Sequence, residues 1–204
     1  MERTNNYALQ AAQARAHFLE YDPAALAKKL GAQLDADYLT VPLLGSPHRI
    51  SLKTGEIAWL WKGAWLPADS HEEVMTLLDL VCDSREDRSL SGRWKGMSSF
   101  GMQFHQGLLE EQRDETAEAI QRDPGAFCHA CEALGGVRVG SCDLGYALEL
   151  FGGLKIAVQF WYGDDEFYPR VRYLWDEKAL QYLRYETMFY AVSVLWDRLR
   201  RAAK

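Results

Sequence analysis

No run of apolar residues in this 204-residue chain reaches the roughly 18 positions that a membrane-spanning helix needs. The first fifteen residues, Met1 to Arg15, are polar and lack the apolar centre of a secretion signal. Both absences point to a cytoplasmic protein with no membrane partner. Basic patches are missing as well. Lys and Arg number 23 against 29 Asp and Glu, a formal net charge of −6, and no five like charges stand together. Nucleic acid binds through a wide positive surface, so it is not expected as a partner. Arg198, Arg200, Arg201 and Lys204 fit the last turns of a helix, where cations meet the negative end of the dipole. Cysteine is scarce: Cys82, Cys128, Cys131 and Cys142 are expected as reduced thiols, not as a disulfide framework. There is no Gly-x-Ser-x-Gly elbow, no Gly-x-x-x-x-Gly-Lys phosphate loop and no dinucleotide fingerprint. No catalytic set and no cofactor can be named from motifs.

What the chain does have is core-forming material, with 48% hydrophobic and 12% aromatic residues. It also says one thing twice. Asp22-Pro-Ala-Ala-Leu-Ala-Lys-Lys-Leu-Gly and Asp123-Pro-Gly-Ala-Phe-Cys-His-Ala-Cys-Glu-Ala-Leu-Gly-Gly share a start, an Ala-rich stripe and a stop. In each, Asp caps a helix with Pro at its first position, and Gly ends it. Each follows a longer helical pattern and precedes about three strand-like runs. The expected architecture is one α+β domain over 1–204, with antiparallel sheets flanked by helices. It would be built as two related α-α-β-β-β-α halves, about 1–90 and 103–204.

The periodicity predicts a first helix from Asn5 or Asn6 to about Glu20, with Tyr7, Ala11, Ala14 and Phe18 buried. Strands follow at 38–44, 49–53 and 56–61, with Gly45-Ser46-Pro47 and Thr54-Gly55 as turns. Ser70 to Glu73 forms a capping box for a helix reaching about Asp83. Residues 84–101 read as a connection. A helix is expected over 103–121, with Glu110, Glu111, Asp114, Glu115 and Glu118 on a solvated face. Strands are expected at 137–139, 145–151, 154–162 and 171–175, the middle pair joined by the hairpin turn Gly152-Gly153. The terminal helix, 185–200, should bury Phe189, Val192, Leu195 and Leu199. Hairpins this short leave no room for βαβ crossovers.

Five features are weighed for chemistry. Asp164-Asp165-Glu166, between Gly163 and Phe167-Tyr168, is the densest acidic point. Such carboxylates hold a hard cation or supply a general base, or they simply close a solvated turn. Cys128 and Cys131 share a helix face, with Cys142 eleven residues on. Zinc needs four convergent ligands, so packing as small core residues outweighs a metal site there. His105, beside Phe100, Gly101 and Phe104, titrates near neutral pH when unperturbed, although a lone His is more often structural. Asp176 and Glu186 sit where helix starts need acceptors. Trp94 completes the set, and the decisive question is whether it, His105 and the acidic loop line a common pocket.

The C-terminal half carries a resemblance. Gly152-Gly153, Gly163-Asp164-Asp165-Glu166-Phe167, Tyr173-Leu174-Trp175-Asp176 and Tyr182-Leu183-Arg184-Tyr185-Glu186 follow in order, and Gly92-Arg93-Trp94 with Phe100 lies upstream. This resembles the family called domain of unknown function 3786. Trp175 stands where the family usually has Phe, and Thr187 where it has Asp. The resemblance implies a small, mostly prokaryotic protein, often from anaerobes, with some members fused to an iron–sulfur segment. Four scattered cysteines do not match such a segment. It implies no activity. Two functional readings stay open. One is a non-enzymatic ligand-binding or accessory protein, taking a small molecule, a cation or a protein partner. The ligand contacts would be Asp164, Asp165, Glu166, Phe167, His105 and Trp94. The other is a metal-assisted hydrolase or lyase using the Asp164–Glu166 loop.

Overall fold

The computed structural model describes residues 6–101 and 114–203. His105, Phe104, Glu110, Glu111, Lys204 and most of the helix expected over 103–121 lie outside the described residues. The described residues form six α-helices and two antiparallel sheets of five strands each, an α+β fold. The chain divides into two compact units, Met1–Ser89 with Gln181–Val194 and Leu90–Leu180 with Leu195–Lys204.

The first unit begins with α1 (Asn6–Phe18) and α2 (Pro23–Leu30). Asp22 caps α2 by accepting from the amides of Ala24 and Ala25, both at 3.2 Å, and Gly31 closes it at φ 63°. The sheet is a simple meander: β1 (Gln33–Leu34), β2 (Tyr38–Leu43), β3 (Ser46–Ser51), β4 (Ile57–Trp61) and β5 (Ala64–Pro67), in that order. Alternation sends Leu39, Val41, Leu43, His48, Ile50, Ile57 and Trp59 to the core. Helix α3 (His71–Cys82) follows, and the Ser70 hydroxyl accepts from the Glu73 amide at 3.2 Å.

Several expectations need correction here. Ser46 and Pro47 belong to β3, because the turn is only Leu44-Gly45, with φ of 48° and 74°. Lys62-Gly63 repeats that geometry at 46° and 84° and creates β5, which a Lys at the first turn position conceals. Tyr7 is 61% exposed, although its ring packs edge-on against His71. Glu73 sends its carboxylate inward to His48, at 3.0 Å.

The second unit starts with β6 (Trp94–Gly96), inside the stretch expected as a connection. Helix α4 (Glu115–Arg122) is capped by Asp114, which therefore does not lie on its solvated face. The carboxylate of Asp114 accepts from the Thr116 and Ala117 amides instead. Asp123 caps α5 (Pro124–Ala133). Then come β7 (Val137–Arg138), β8 (Leu144–Phe151), β9 (Leu154–Trp161) and β10 (Arg170–Asp176). The spatial order is β6-β10-β9-β8-β7, so β6 takes the place beside the fourth meander strand. Gly152-Gly153 turns β8 into β9 with φ of 55° and 84°. Ile156, Val158 and Phe160 share a fully buried face of β9.

Asp176 holds β6 in position. Its carboxylate accepts from the amides of Ser91 (2.9 Å), Gly92 (2.7 Å) and Lys178 (2.9 Å). Burial alone would raise this acid, but those donors hold it below its ordinary value. The last helix, α6 (Tyr185–Ala202), contributes to the first unit through Val194 and to the second thereafter. Its buried face is Thr187, Met188, Ala191, Val194, Leu195, Arg198 and Leu199, while Phe189 is 50% exposed. Leu195 and Leu199 are buried as expected, but Phe189 and Val192 lie off the inner face, and Thr187, Met188, Ala191 and Val194 take their place. Two buried polar residues, Thr187 and Arg198, disguise the inner face. Arg198 is therefore a core side chain rather than a solvated helix-end cation.

Candidate functional site

The acidic loop joins β9 to β10, and its shape comes from Gly163 and Asp164. A Cβ on Gly163 would lie 2.5 Å from the Pro169 nitrogen, so only glycine fits the closure. The Gly163 amide donates to the Gln121 side-chain oxygen at 2.7 Å. One oxygen of Asp164 accepts from the Glu166 and Phe167 amides, each at 2.8 Å. Those amides hold the Asp164 carboxyl below the usual carboxylate range. Its charge is thus used within the loop. Asp165 and Glu166 are exposed, and Phe167 and Tyr168 are 69% and 58% exposed. Glu118, Gln121, Arg122 and the loop border a cleft of about 350 Å³.

The structure does not bring Trp94 to this loop. Trp94 pairs with Asp176, the last residue of β10, whereas the loop enters at Arg170. The intervening strand spans roughly 20 Å at the usual rise per residue. His105 lies outside the described residues. Cys131 is buried, and burial pushes its thiol well up; Cys128 is half-buried on the same helix, α5. Cys142 packs over Gly145, where a Cβ would come within 2.5 Å of its sulfur. Among the described residues no three His, Cys, Asp or Glu side chains converge as a metal site.

The best-furnished concavity lies wholly in the first unit, between α1, α3 and the start of α6. It measures about 400 Å³. Ala14, Met75, Leu78 and Tyr190 supply its apolar wall, while Asp79, Asp83, Arg184 and Glu186 supply charge and His17 an imidazole. Asp79 is the centre. It sits inside the apolar run Leu77 to Cys82 of α3, so helix packing alone takes it out of water, with a side chain only 4% exposed. One of its oxygens, Oδ2, accepts from the Arg184 amide at 2.8 Å. Thr187 also hydrogen-bonds to the carboxylate. Asp79 therefore provides the acceptor at the start of α6 that Glu186 was expected to provide. Its other oxygen, Oδ1, makes no hydrogen bond among the described residues. The nearest cation is Arg184 Nε, at 3.6 Å, too far for a good bond.

Burial dominates the electrostatics of Asp79 and raises its carboxyl above the ordinary value, against the pull of Thr187, the Arg184 amide and the Arg184 charge. Arg184 also pairs closely with Asp83. The Tyr21 hydroxyl and His17 Nε2 share a hydrogen bond at 3.2 Å, and His17 Nε2 stands 3.9 Å from Asp83. Burial, then the Asp83 charge, raises the Tyr21 phenol. No sequence motif marks this cleft. The available signal was a charged residue within a helix that is apolar almost all round.

A buried acid of raised proton affinity, a guanidinium that only partly satisfies it and an apolar wall together make this cleft a candidate site. The family model described as Domain of unknown function (DUF3786) matches residues 22–198. The chain belongs to that family. The DUF3786 match spans both Asp-Pro helices, both sheets, Asp79, Arg184 and the acidic loop, and stops within α6. No curated protein matches this DUF3786 chain, and no solved structure matches it.

Proposed function

We propose that this chain is a ligand-binding or accessory protein whose ligand occupies the cleft around Asp79. The observation that carries this reading is Asp79, a buried acid in the lining of a cavity of about 400 Å³, whose Oδ1 makes no hydrogen bond among the described residues. A buried carboxylate oxygen without a hydrogen bond is costly, and a donor on a ligand would offset that cost. The test is recovery of a small molecule from native protein by denaturation and mass spectrometry. The variant Ala14→Trp, which fills the cleft, should release it while keeping the circular-dichroism spectrum of the parent. A molecule retained at full occupancy by Ala14→Trp would remove the cleft from consideration.

A second reading keeps the 163–169 loop as a ligand surface. Its support is the pair Phe167 and Tyr168, exposed on a loop whose ends are fixed by Gly163 and Asp164. The contacts there would be Asp165, Glu166 and Phe167, since Asp164 is engaged by amides. A metal-assisted hydrolase at this loop has weaker support for the same reason.

The wider setting we propose is a prokaryotic cytoplasm. All four cysteines are free thiols, and no helix among the described residues is long and apolar enough to cross a membrane. We also propose that the two halves, about 1–90 and 103–204, arose by duplication. The support is a shared sequence of elements: an Asp-Pro-capped helix, a two-residue strand and then a meander.

A further inference from the structure

We infer that the Asp79 cleft takes a small organic cation, with an ammonium or guanidinium head seated between Asp79 and Asp83 and a short apolar chain. This rests on the cleft being the ligand site. The first argument is charge. Asp79, Asp83 and Glu186 line the cleft with three carboxylates, against the single guanidinium of Arg184 and the imidazole of His17. An anion would meet that acidic excess, and a cation would be attracted by it.

The second argument is the arrangement of Arg184. Its Nη2 is committed to Asp83, which leaves Nε 3.6 Å from Asp79 Oδ1. The chain's own guanidinium thus spans two carboxylates but closes a hydrogen bond on only one. Its side chain is 62% exposed, so moving it aside uncovers the seat without disturbing the core. A ligand head free to approach on its own axis would satisfy Oδ1 directly, with a charge-assisted hydrogen bond. The third argument is the wall. Ala14, Met75, Leu78 and Tyr190 offer an apolar or cation–π surface to the rest of the ligand. The volume of about 400 Å³ suits a compact molecule.

The experiment is a thermal-shift and calorimetric titration of the full chain with n-butylammonium, n-butylguanidinium, acetyl-lysine amide and butyrate. The cations should raise the unfolding midpoint, by roughly 5–10 °C at a hundred times the Kd, and butyrate should not. Asp79→Asn keeps an acceptor for the Arg184 amide and should weaken binding at least tenfold. Asp83→Asn, at a more exposed position, should weaken it as well and covers the case in which the first variant folds poorly. Arg184→Ala should bind butylguanidinium more tightly than the parent, because the seat is vacated. Equal binding of cations by parent and both Asn variants overturns the proposal, as does preference for butyrate. Tighter binding of acetyl-lysine amide than of either free cation overturns the small-molecule source and assigns the head to a partner's side chain. If Ala14→Trp expels a co-purifying molecule and no cation binds, the cleft stands and the ligand class is wrong.

Discussion

The imidazole of His48 and the carboxylate of Glu73 meet at 3.0 Å inside the first unit, and both side chains are shut off from solvent. The other ring nitrogen of His48 faces the Ser46 carbonyl at 2.9 Å, and its ring stacks on Trp59. A strand and a helix are thereby joined by a polar contact inside an apolar core. Removing one member takes a hydrogen-bond partner from the other inside the core. His48→Ala should cost about 3–5 kcal/mol, and Glu73→Leu a similar amount. The double variant His48→Leu/Glu73→Leu should recover much of that loss. Urea denaturation of the three proteins closes the cycle, and additive losses would show that the pair is not a unit.

Phe160 occupies the middle of the second unit's sheet at 0% exposure, with Ile156 and Val158 on the same face. Its ring meets that of Tyr162 edge-on at 5.0 Å. Phe160→Ala should destabilise the chain by about 3–5 kcal/mol in chemical denaturation. A loss below about 1 kcal/mol would belong to a surface position.

Cys82 closes α3 beside Asp83, and burial first, then the Asp83 charge, pushes its thiol from 9.0 up to about 12. The sign of the pH effect follows. Between those values the unfolded chain has lost the proton and the folded chain keeps it. Stability should be unaffected by this group below pH 9 and should fall as pH rises towards 12. The urea midpoint of the parent should therefore drop more between pH 8 and pH 11 than that of Cys82→Ala. A parallel decline in both proteins would assign the alkaline loss to other groups.

Much of this fold was legible in the chain, because its punctuation is physical. Asp22, Asp123, Ser70 and Gly31 cap helices as their side chains or their freedom of φ require, and Gly152-Gly153 marks a hairpin on composition alone. Strand β5 and the short turn before β3 were hidden because Lys62 and Leu44 hold positive φ, a conformation that sequence propensity assigns to Gly or Asn. Strand β6 was hidden because its partner, Asp176, lies more than eighty residues away and anchors it by amide hydrogen bonds. The acidic loop was visible as acids, yet its first acid serves the backbone. Of the Asp79 cleft only the charged residue within an apolar helix was legible, because Ala14, Asp79 and Arg184 have no sequence proximity. Only tertiary packing makes one wall of them.

The loop offers the sharpest separation of structure from function. Asp164 accepts two amides through one oxygen, a task that Asn performs and Ala does not. Asp164→Asn should therefore keep the loop closed, and Asp164→Ala should open it. Limited proteolysis reads this directly, since Phe167 and Tyr168 are exposed cleavage points. Cutting should be much faster in the Ala variant and near the parent rate in the Asn variant. Gly163→Ala should behave like Asp164→Ala, because its Cβ would sit 2.5 Å from the Pro169 nitrogen and force the backbone apart. If the loop also serves a ligand, the sensitive positions are Asp165 and Glu166, whose carboxylates are exposed. Asp165→Asn/Glu166→Gln should then lose a calcium- or magnesium-induced rise in the unfolding midpoint that Asp164→Asn retains. If neither cation shifts the parent, the three acids form a solvated turn that Asp164 closes, and the second binding surface is withdrawn. If Asp164→Asn is cut as fast as Asp164→Ala, the negative charge, and not the acceptor geometry, is what holds the turn.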